Sequence, residues 1–182
     1  MIQQETEFRL MSIDDVELLH KICCDAYTQN FYNHWEPGGL ENYLNNSFGQ
    51  DVLAAELNNN RIQYYVAFIN NNPVAFMKIN LSPDIDGQNN SQDIELEKIY
   101  VLPQFKGMNI GKKLLNIAFN IAEKNCKKIF WLSVIDTNEE AIAFYKKRGF
   151  RFYDKTIIDY PHFKEELKGM WRMYLRLNAN DI

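Results

Sequence analysis

A strand, a glycine-containing loop and an amphipathic helix follow one another in the middle of the chain. Residues 93–101 alternate charged and apolar side chains at their start, which is typical of a strand. Residues 104–111 form the loop, and the helix after it has apolar side chains along one face: Leu114, Ile117, Ala118, Ile121 and Ala122. Backbone N–H groups converge where such a loop enters a helix, so this turn is a candidate site for a phosphate group.

The residues of the loop suit a close approach between backbone and ligand. Gly107 and Gly111 allow positive φ, Asn109 tolerates the left-handed region, and Lys112 and Lys113 add positive charge beside them. The P-loop motif GxxxxGK[ST] is absent, and two glycines four residues apart do not make the GxGxxG dinucleotide fingerprint. The loop therefore indicates a phosphate ligand of another kind, with an ordinary structural turn as the equal alternative.

The other segments predict further strands and helices around this unit. No linker and no internal repeat divides the sequence, so we expect residues 1–182 to form a single domain. The predicted elements are a helix that Ser12 caps, an antiparallel hairpin of residues 63–69 and 73–80, a strand over 128–134, a short helix that begins at Asn138 and ends at Gly149, and closing strands near 150–156 and 171–177.

Charge and composition exclude several classes of protein. The 20 Lys and Arg against 24 Asp and Glu leave a formal charge of −4, which lacks the basic balance of nucleic-acid binders. No apolar stretch approaches the roughly 20 residues that span a bilayer. Three cysteines without CxxC spacing suit reduced thiols, and the three histidines form no metal-ligand pattern. We expect a cytoplasmic protein without nucleic-acid, membrane or metal partners; a homodimer stays open.

Two segments resemble the GNAT N-acetyltransferases. The first is residues 96–101 with the glycine loop, and the second is residues 138–150, whose Asn, Ala, Phe-Tyr and Gly-Phe fall at the family's positions. The order of predicted elements is similar over nearly the whole chain, most of all to the PaiA-type spermine and spermidine acetyltransferases. The resemblance implies an α/β (α+β) fold: a mixed, mostly antiparallel, twisted central sheet of about six to seven strands, splayed at its middle and flanked by about four helices.

The resemblance also implies acetyl-CoA as cosubstrate and assigns residues to it. The pantetheine arm would contact the backbone of Ile99, Tyr100 and Val101. The pyrophosphate would be held by Lys106, Gly107, Met108, Asn109, Ile110, Gly111 and Lys112. The far side of the cosubstrate would contact Asn138, Ala141 and Tyr145. The chain departs from the family's Q/R-x-x-G-x-G/A pattern at Lys106 and Asn109 and keeps Gly111.

An amine that attacks a thioester must lose a proton, while the leaving thiolate must gain one or be stabilised. By resemblance, Glu97 would accept the amine's proton, and Tyr145 would protonate the thiolate or donate a hydrogen bond to it. Glu95 shares a face with Glu97 in a regular strand and is the second candidate. A solvated strand face and a packed core tyrosine are the structural alternatives. An acyl-enzyme on Cys126 is the rival mechanism, although the sequence has no histidine near it.

The expected acceptor is a primary amine, with a polyamine such as spermidine or spermine first. Tyr32, Trp35 and Glu36 lie in an aromatic loop and are the predicted substrate-binding residues. With His34, Tyr43 and the two strand carboxylates they would form an aromatic, acidic funnel for ammonium groups. Trp35 and Glu36 fit a surface staple equally well. A peptide N-terminus or lysine as acceptor, and a CoA-binding module without catalysis, are the alternative functions.

Overall fold

The computed structural model describes residues 5–83, 85 and 92–177. Its strands are β1 (Thr6–Leu10), β2 (Ile62–Ile69), β3 (Asn72–Asn80), β4 (Asp93–Val101), β5 (Ile129–Ile135), β6 (Arg151–Ile157) and β7 (Gly169–Arg176). Its helices are α1 (Val16–Phe31), α2 (Gly39–Phe48), α3 (Gln50–Leu57), α4 (Ile110–Lys124) and α5 (Glu139–Lys146). The predicted strands and the long helix after the glycine loop agree with these bounds to within a few residues.

The strands form one mixed sheet in the order β1-β2-β3-β4-β5-β7-β6. Every neighbouring pair is antiparallel except β4 with β5, which is parallel because α4 connects them as a crossover. This mixed, mostly antiparallel sheet confirms the fold expected from the sequence. Among the described segments, no helix is both long and apolar enough to cross a membrane.

The sheet separates two hydrophobic cores, because successive side chains of a strand point to opposite faces. On one face, α4 packs its Leu114 and Ala118 against strand residues such as Leu96 and Phe130. On the other face, α1, α2 and α3 bury Leu19, Phe48 and Leu53 with the rings of Tyr64 and Phe76. The helices on each face therefore hold the middle strands in place from both sides.

The two central strands separate part-way along their length. Pairing between β4 and β5 runs from Asp93 opposite Ile129 to Leu96 opposite Leu132, and is not continued although both strands are longer. Beyond Leu96, β4 stays paired with β3 alone, up to Val101 opposite Ala75. The expected splay is thus present, and it opens a gap whose one wall is the free edge of β4.

A β-bulge lies where β4 leaves β5. Ile79 is opposite Leu96 and Lys78 is opposite Lys98, so Glu97 is the extra residue between them. Glu95, which is opposite Asn80, lies on the same face as Lys98, because their partners on β3 are two residues apart. The bulge therefore gathers two carboxylates and an ammonium group at the beginning of the gap.

Candidate active site

A cleft of about 640 Å³ occupies the gap between β4 and β5. Its walls come from α1, from the loop before α4, and from the beginning of α5. The predicted site residues that line it are Glu95, Glu97, Ile99, Tyr100, Val101, Lys106, Gly107, Asn109, Ile110, Gly111, Lys112, Asn138, Ala141 and Tyr145. Segments far apart in the sequence thus meet around a single cavity.

The loop before α4 borders this cleft and has the backbone geometry of an anion-binding turn. Gly107 has φ 82°, and Asn109 adopts φ 60° in the left-handed region as the residue that caps the helix. The first backbone N–H that pairs with a carbonyl in this turn is that of Lys113, which donates to Asn109 O at 3.0 Å. The N–H groups of the first three helical residues have no helical partner and remain for a ligand.

Space for a phosphate group exists at the same turn. A Cβ added at Gly111 would meet only Val101 Cγ2, at 3.9 Å, so no protein atom crowds this backbone. Lys106 and Lys112 line the cleft beside it and supply positive charge. Glycine conformation, free N–H groups and two ammonium groups together fit the pyrophosphate of CoA.

The free edge of β4 forms the next part of the cleft. In an antiparallel pair, only every second residue of a strand directs its N–H and C=O groups at the neighbouring strand. The N–H and C=O groups in Ile99 to Val101 that face away from β3 therefore point into the gap. Asn30 Nδ2 donates to Val101 O at 3.0 Å and to Ala26 O at 2.8 Å, which ties this end of β4 to α1. A chain of amides such as pantetheine would find both donors and acceptors along this edge.

Glu97 is held by two buried ammonium groups. Its Oε1 accepts from Lys98 Nζ at 2.6 Å and from Lys78 Nζ at 2.8 Å. Burial by itself would raise the pKa of Glu97, but the two lysines outweigh that effect and hold the pKa below its usual value. Glu97 is therefore a charged, anchored group at neutral pH.

Glu95 differs from Glu97 although the two share a face. No ion pair or hydrogen bond of its carboxyl group is found among residues 5–83, 85 and 92–177. Burial, reinforced by the negative charge of Glu97, raises the pKa of Glu95 to about 7. A carboxyl group in a cleft with a pKa near neutrality has the properties of a proton acceptor, and of these two carboxyl groups Glu95 has them.

Tyr145 lies on α5 with its side chain almost fully buried between Phe144 and Phe150, at ring distances of 5.2 and 5.7 Å. Burial raises the pKa of its hydroxyl, and the charge of Arg148 offsets only part of that effect. The hydroxyl therefore stays protonated and is a hydrogen-bond donor. Asn138 caps α5 through its Oδ1, which accepts from Ala141 N at 3.1 Å, and this cap positions the helix at the cleft.

Aromatic side chains form the remaining wall. Tyr27 stacks on Tyr43 at 4.3 Å between ring centroids, and Phe31 meets Tyr100 edge-on at 5.0 Å. The members that line the cleft, here called the aromatic wall, are Tyr27, Phe31, Tyr43, Tyr100, Tyr160 and Phe163. Of these the sequence had indicated Tyr43 and Tyr100. Tyr27 and Phe31 are four residues apart on one helix face, a signal that reads equally well as core packing.

Five predicted residues do not line the cleft: Tyr32, His34, Trp35, Glu36 and Met108. Trp35 is only 7% exposed and packs behind the aromatic wall, 4.9 Å from the ring of Phe163. Tyr32 is 69% exposed, and Glu36 and Met108 are exposed as well. The predicted acidic funnel also changes character, because Glu97 is already paired with two lysines. Aromatic faces, with Glu95, therefore make up the acceptor side of the cleft.

The rival acyl-enzyme mechanism needs a cysteine in the cleft. None of the three cysteines is among the lining residues, and Cys126 lies exposed just after α4. No group of three or more His, Cys, Asp or Glu side chains in the described segments is placed to hold a metal ion. The structure therefore does not place Cys126, the candidate for an acyl-enzyme, at the cleft.

Comparison with known proteins gives consistent matches. The model of the Acetyltransferase (GNAT) family matches residues 21–150. An uncharacterized N-acetyltransferase of Lactobacillus delbrueckii subsp. lactis is 25% identical over 128 residues, covering 69% of this chain and 72% of the relative. The spermidine N(1)-acetyltransferase of Thermoplasma acidophilum is 24% identical over 152 residues, covering 81% and 89%. The crystal structure of the Thermoplasma acidophilum PaiA N-acetyltransferase with coenzyme A superposes with a TM-score of 0.76 at 21% identity, covering 95% of this chain and 99% of that one, which shows a shared fold.

Proposed function

We propose, because this chain belongs to the acetyltransferase (GNAT) family, that it transfers the acetyl group of acetyl-CoA to a primary amine by direct attack. The observation that carries the proposal is the union of three features in one cleft: an anion-binding turn, the free edge of β4, and a carboxyl group with a pKa of about 7. The single sheet and its two cores support residues 1–182 as one acetyltransferase domain.

Acetyl-CoA supplies the acetyl group as a thioester. We assign its diphosphate to the N–H groups at the beginning of α4, together with Lys106 and Lys112. The residues 99–101 of β4 would pair with its amides. Asn138 and Ala141 would face it from α5. These assignments follow the direction of the cleft, which runs from the turn along β4 to the carboxylates.

Glu95 is the proposed proton acceptor for the attacking amine. With a pKa of about 7, it is substantially ionised at neutral pH and still basic enough to hold a proton. Glu97 stays charged, and its negative charge contributes to the raised pKa of Glu95. Tyr145 donates a hydrogen bond to the sulfur of the leaving thiolate, because its raised pKa disfavours full proton transfer.

A polyamine such as spermidine or spermine is the proposed acceptor. The similarity to a spermidine N(1)-acetyltransferase supports it, as does the aromatic wall, whose ring faces attract ammonium groups through cation–π contacts. Glu95 would then face the reacting nitrogen. The remaining cations of the polyamine would lie against the rings of Tyr27, Tyr43 and Tyr160.

A panel of acceptors tests this proposal. The protein is incubated with acetyl-CoA and spermidine, spermine, single amino acids, aminoglycosides or short peptides, and free CoA is followed with a thiol reagent. Turnover with the polyamines is the expected result, and controls omit the amine. Turnover with peptides alone would refute the polyamine assignment. Binding of acetyl-CoA without turnover on any amine would support a non-catalytic module instead.

A further inference from the structure

A row of four charged side chains runs from α3 to the floor of the cleft. Lys78 Nζ donates to Glu56 Oε1 at 2.6 Å and to Glu97 Oε1 at 2.8 Å, and Lys98 Nζ donates to the same Glu97 oxygen at 2.6 Å. The hydroxyl of Tyr64 donates to the other oxygen of Glu56. We call Glu56, Lys78, Glu97 and Lys98 the charge row. Its two carboxylates and two ammonium groups balance one another.

Lys78 is the central member of the charge row and is the most deeply buried. Its side chain is 6% exposed, compared with 24% for Glu56 and 26% for Glu97. Lys78 does not line the cleft, so it cannot contact a substrate there. A buried ammonium group is costly unless charged partners satisfy it. Carboxylates on both of its sides therefore fix where this lysine lies.

Glu97 receives both of its lysine hydrogen bonds on a single oxygen. No residue in the described part of the chain donates to Oε2. The carboxylate is therefore anchored by Oε1 while Oε2 remains for the acceptor. Glu97 lies in the bulge just beyond Leu96, where the pairing of β4 with β5 ends and β4 has no neighbour on that side. The two lysines therefore hold a side chain that β5 does not support.

We infer that Lys78, held from behind by Glu56, is a positioning residue that fixes Glu97 as a permanent anion in the cleft and leaves Glu95 as the proton-exchanging carboxyl group. The assignment of Glu95 rests on the proposed acetyl transfer, whereas the state of Glu97 does not. The two neighbouring carboxylates thus have different tasks: Glu97 is a fixed charge that helps to keep the pKa of Glu95 raised, and Glu95 exchanges the proton.

The groups that interact electrostatically with Glu97 come from every element packed around it. They are Glu95, Lys98 and Tyr100 on β4, Lys78 on β3, and Tyr64 on β2. Glu56 on α3, Tyr43 on α2 and Cys23 on α1 act on it through the two lysines. The two lysines are the only cations in this set, so removal of either changes the charge balance of Glu97 directly.

The test measures the titration of the two carboxyl groups by ¹³C NMR, with glutamate labelled and the signals assigned through Glu95→Gln and Glu97→Gln. In Lys78→Met we expect the pKa of Glu97 to rise by about 1 to 3 units, because one opposite charge close to a carboxyl group lowers its pKa by about that amount. The pH profile of kcat/KM, corrected for titration of the amine, should move to higher pH, because the charge of Lys78 also lowers the pKa of Glu95. Lys21→Met is the matched control, because Lys21 forms an exposed pair with Asp25.

A second variant guards against loss of folding. Glu56→Gln with Lys78→Met removes one charge of each sign, so the charge row stays balanced, and circular dichroism verifies the fold. A raised pKa of Glu97 in this folded double variant supports the inference, provided that the pKa of Glu97 in Lys78→Arg stays at its wild-type value. An unchanged titration of Glu97 in it would overturn the inference. Wild-type protein that turns over no amine would defeat the proposed function instead, while the NMR titration would still decide the role of Lys78.

Discussion

Replacing Glu95 with Gln is the substitution that most sharply separates the two carboxylates. Glu95 lies in the cleft without a described ion partner, whereas Glu97 is paired with two lysines. If Glu95 takes the amine's proton, its amide counterpart keeps the shape of the site and loses the base. General-base catalysis contributes typically 10²- to 10⁴-fold, so we expect kcat/KM to fall by about that factor at pH 8.

The loss should depend on pH in a direction that the structure sets. Only the ionised carboxylate accepts a proton, and the pKa of Glu95 is about 7. The ionised fraction is then roughly one tenth at pH 6 and roughly nine tenths at pH 8, by the ordinary titration of a single group. The ratio of wild-type to Glu95→Gln activity should therefore rise about tenfold across this range. This ratio cancels the titration of the amine substrate, which both proteins share.

Glu97→Gln should move the pH profile of kcat/KM to lower pH, whereas Lys78→Met should move it to higher pH. Loss of the Glu97 charge removes a cause of the raised pKa of Glu95, so the rise in activity should begin at lower pH. Free CoA is measured with a thiol reagent under initial-rate conditions, with Glu123→Gln on the exposed side of α4 as the control. A wild-type to Glu95→Gln ratio that stays constant from pH 6 to pH 8 would refute the assignment of the base.

Three further substitutions test other parts of the cleft. Tyr145→Phe should lower kcat by about 10²-fold while acetyl-CoA binding, followed by calorimetry, is unchanged; equal activity would remove the hydroxyl from the mechanism. Gly111→Ala should weaken CoA binding by about tenfold or more, since the added methyl group meets only Val101 at 3.9 Å and points to ligand space; a lowered melting temperature would indicate a structural role instead. Asn138→Ala removes the cap of α5 and should lower stability by about 1 kcal/mol, seen as a fall of about 2–4 °C in Tm; an unchanged Tm would contradict the cap's contribution.

The anion-binding turn was accessible from the sequence because its signals are local. Glycines, an asparagine that tolerates positive φ, and lysines follow directly before the apolar face of α4, and the structure gives Gly107 and Asn109 positive φ. The strand before the turn is also recognised from a local signal, the alternation of charged and apolar residues at its start. The residues expected along both segments line the cleft, except for the exposed Met108.

The choice between the two carboxylates was not accessible in the same way. Regular alternation predicts that Glu95 and Glu97 share a face and says nothing of their partners. Lys78 comes from β3, 19 residues before Glu97, and Glu56 comes from a helix 22 residues before Lys78. The bulge depends on strand register, which tertiary packing determines. Long-range charge pairing is therefore the reason why we propose Glu95, and not Glu97, as the base.

The residues on the acceptor side of the cleft could not be predicted from local sequence either. Trp35 was expected in the cleft because it lies in an aromatic loop, yet it packs inward and forms a bridge with Phe163, far along the chain. Burial of its large ring against distant aromatic side chains outweighs a local preference for a loop surface. Tyr160 and Phe163 line the cleft in its place, from a segment between β6 and β7 that has no helical or strand periodicity.

Direct transfer of an acetyl group from acetyl-CoA to an amine never attaches that group to the protein, and mass spectrometry of all reaction products can show this. Wild-type protein is mixed with acetyl-CoA and spermidine, and free thiol, acetylated amine and intact protein are quantified together. We expect one acetylated amine for each CoA released, with the protein mass unchanged. CoA release accompanied by an acetylated protein, or without any acetylated amine, would contradict it.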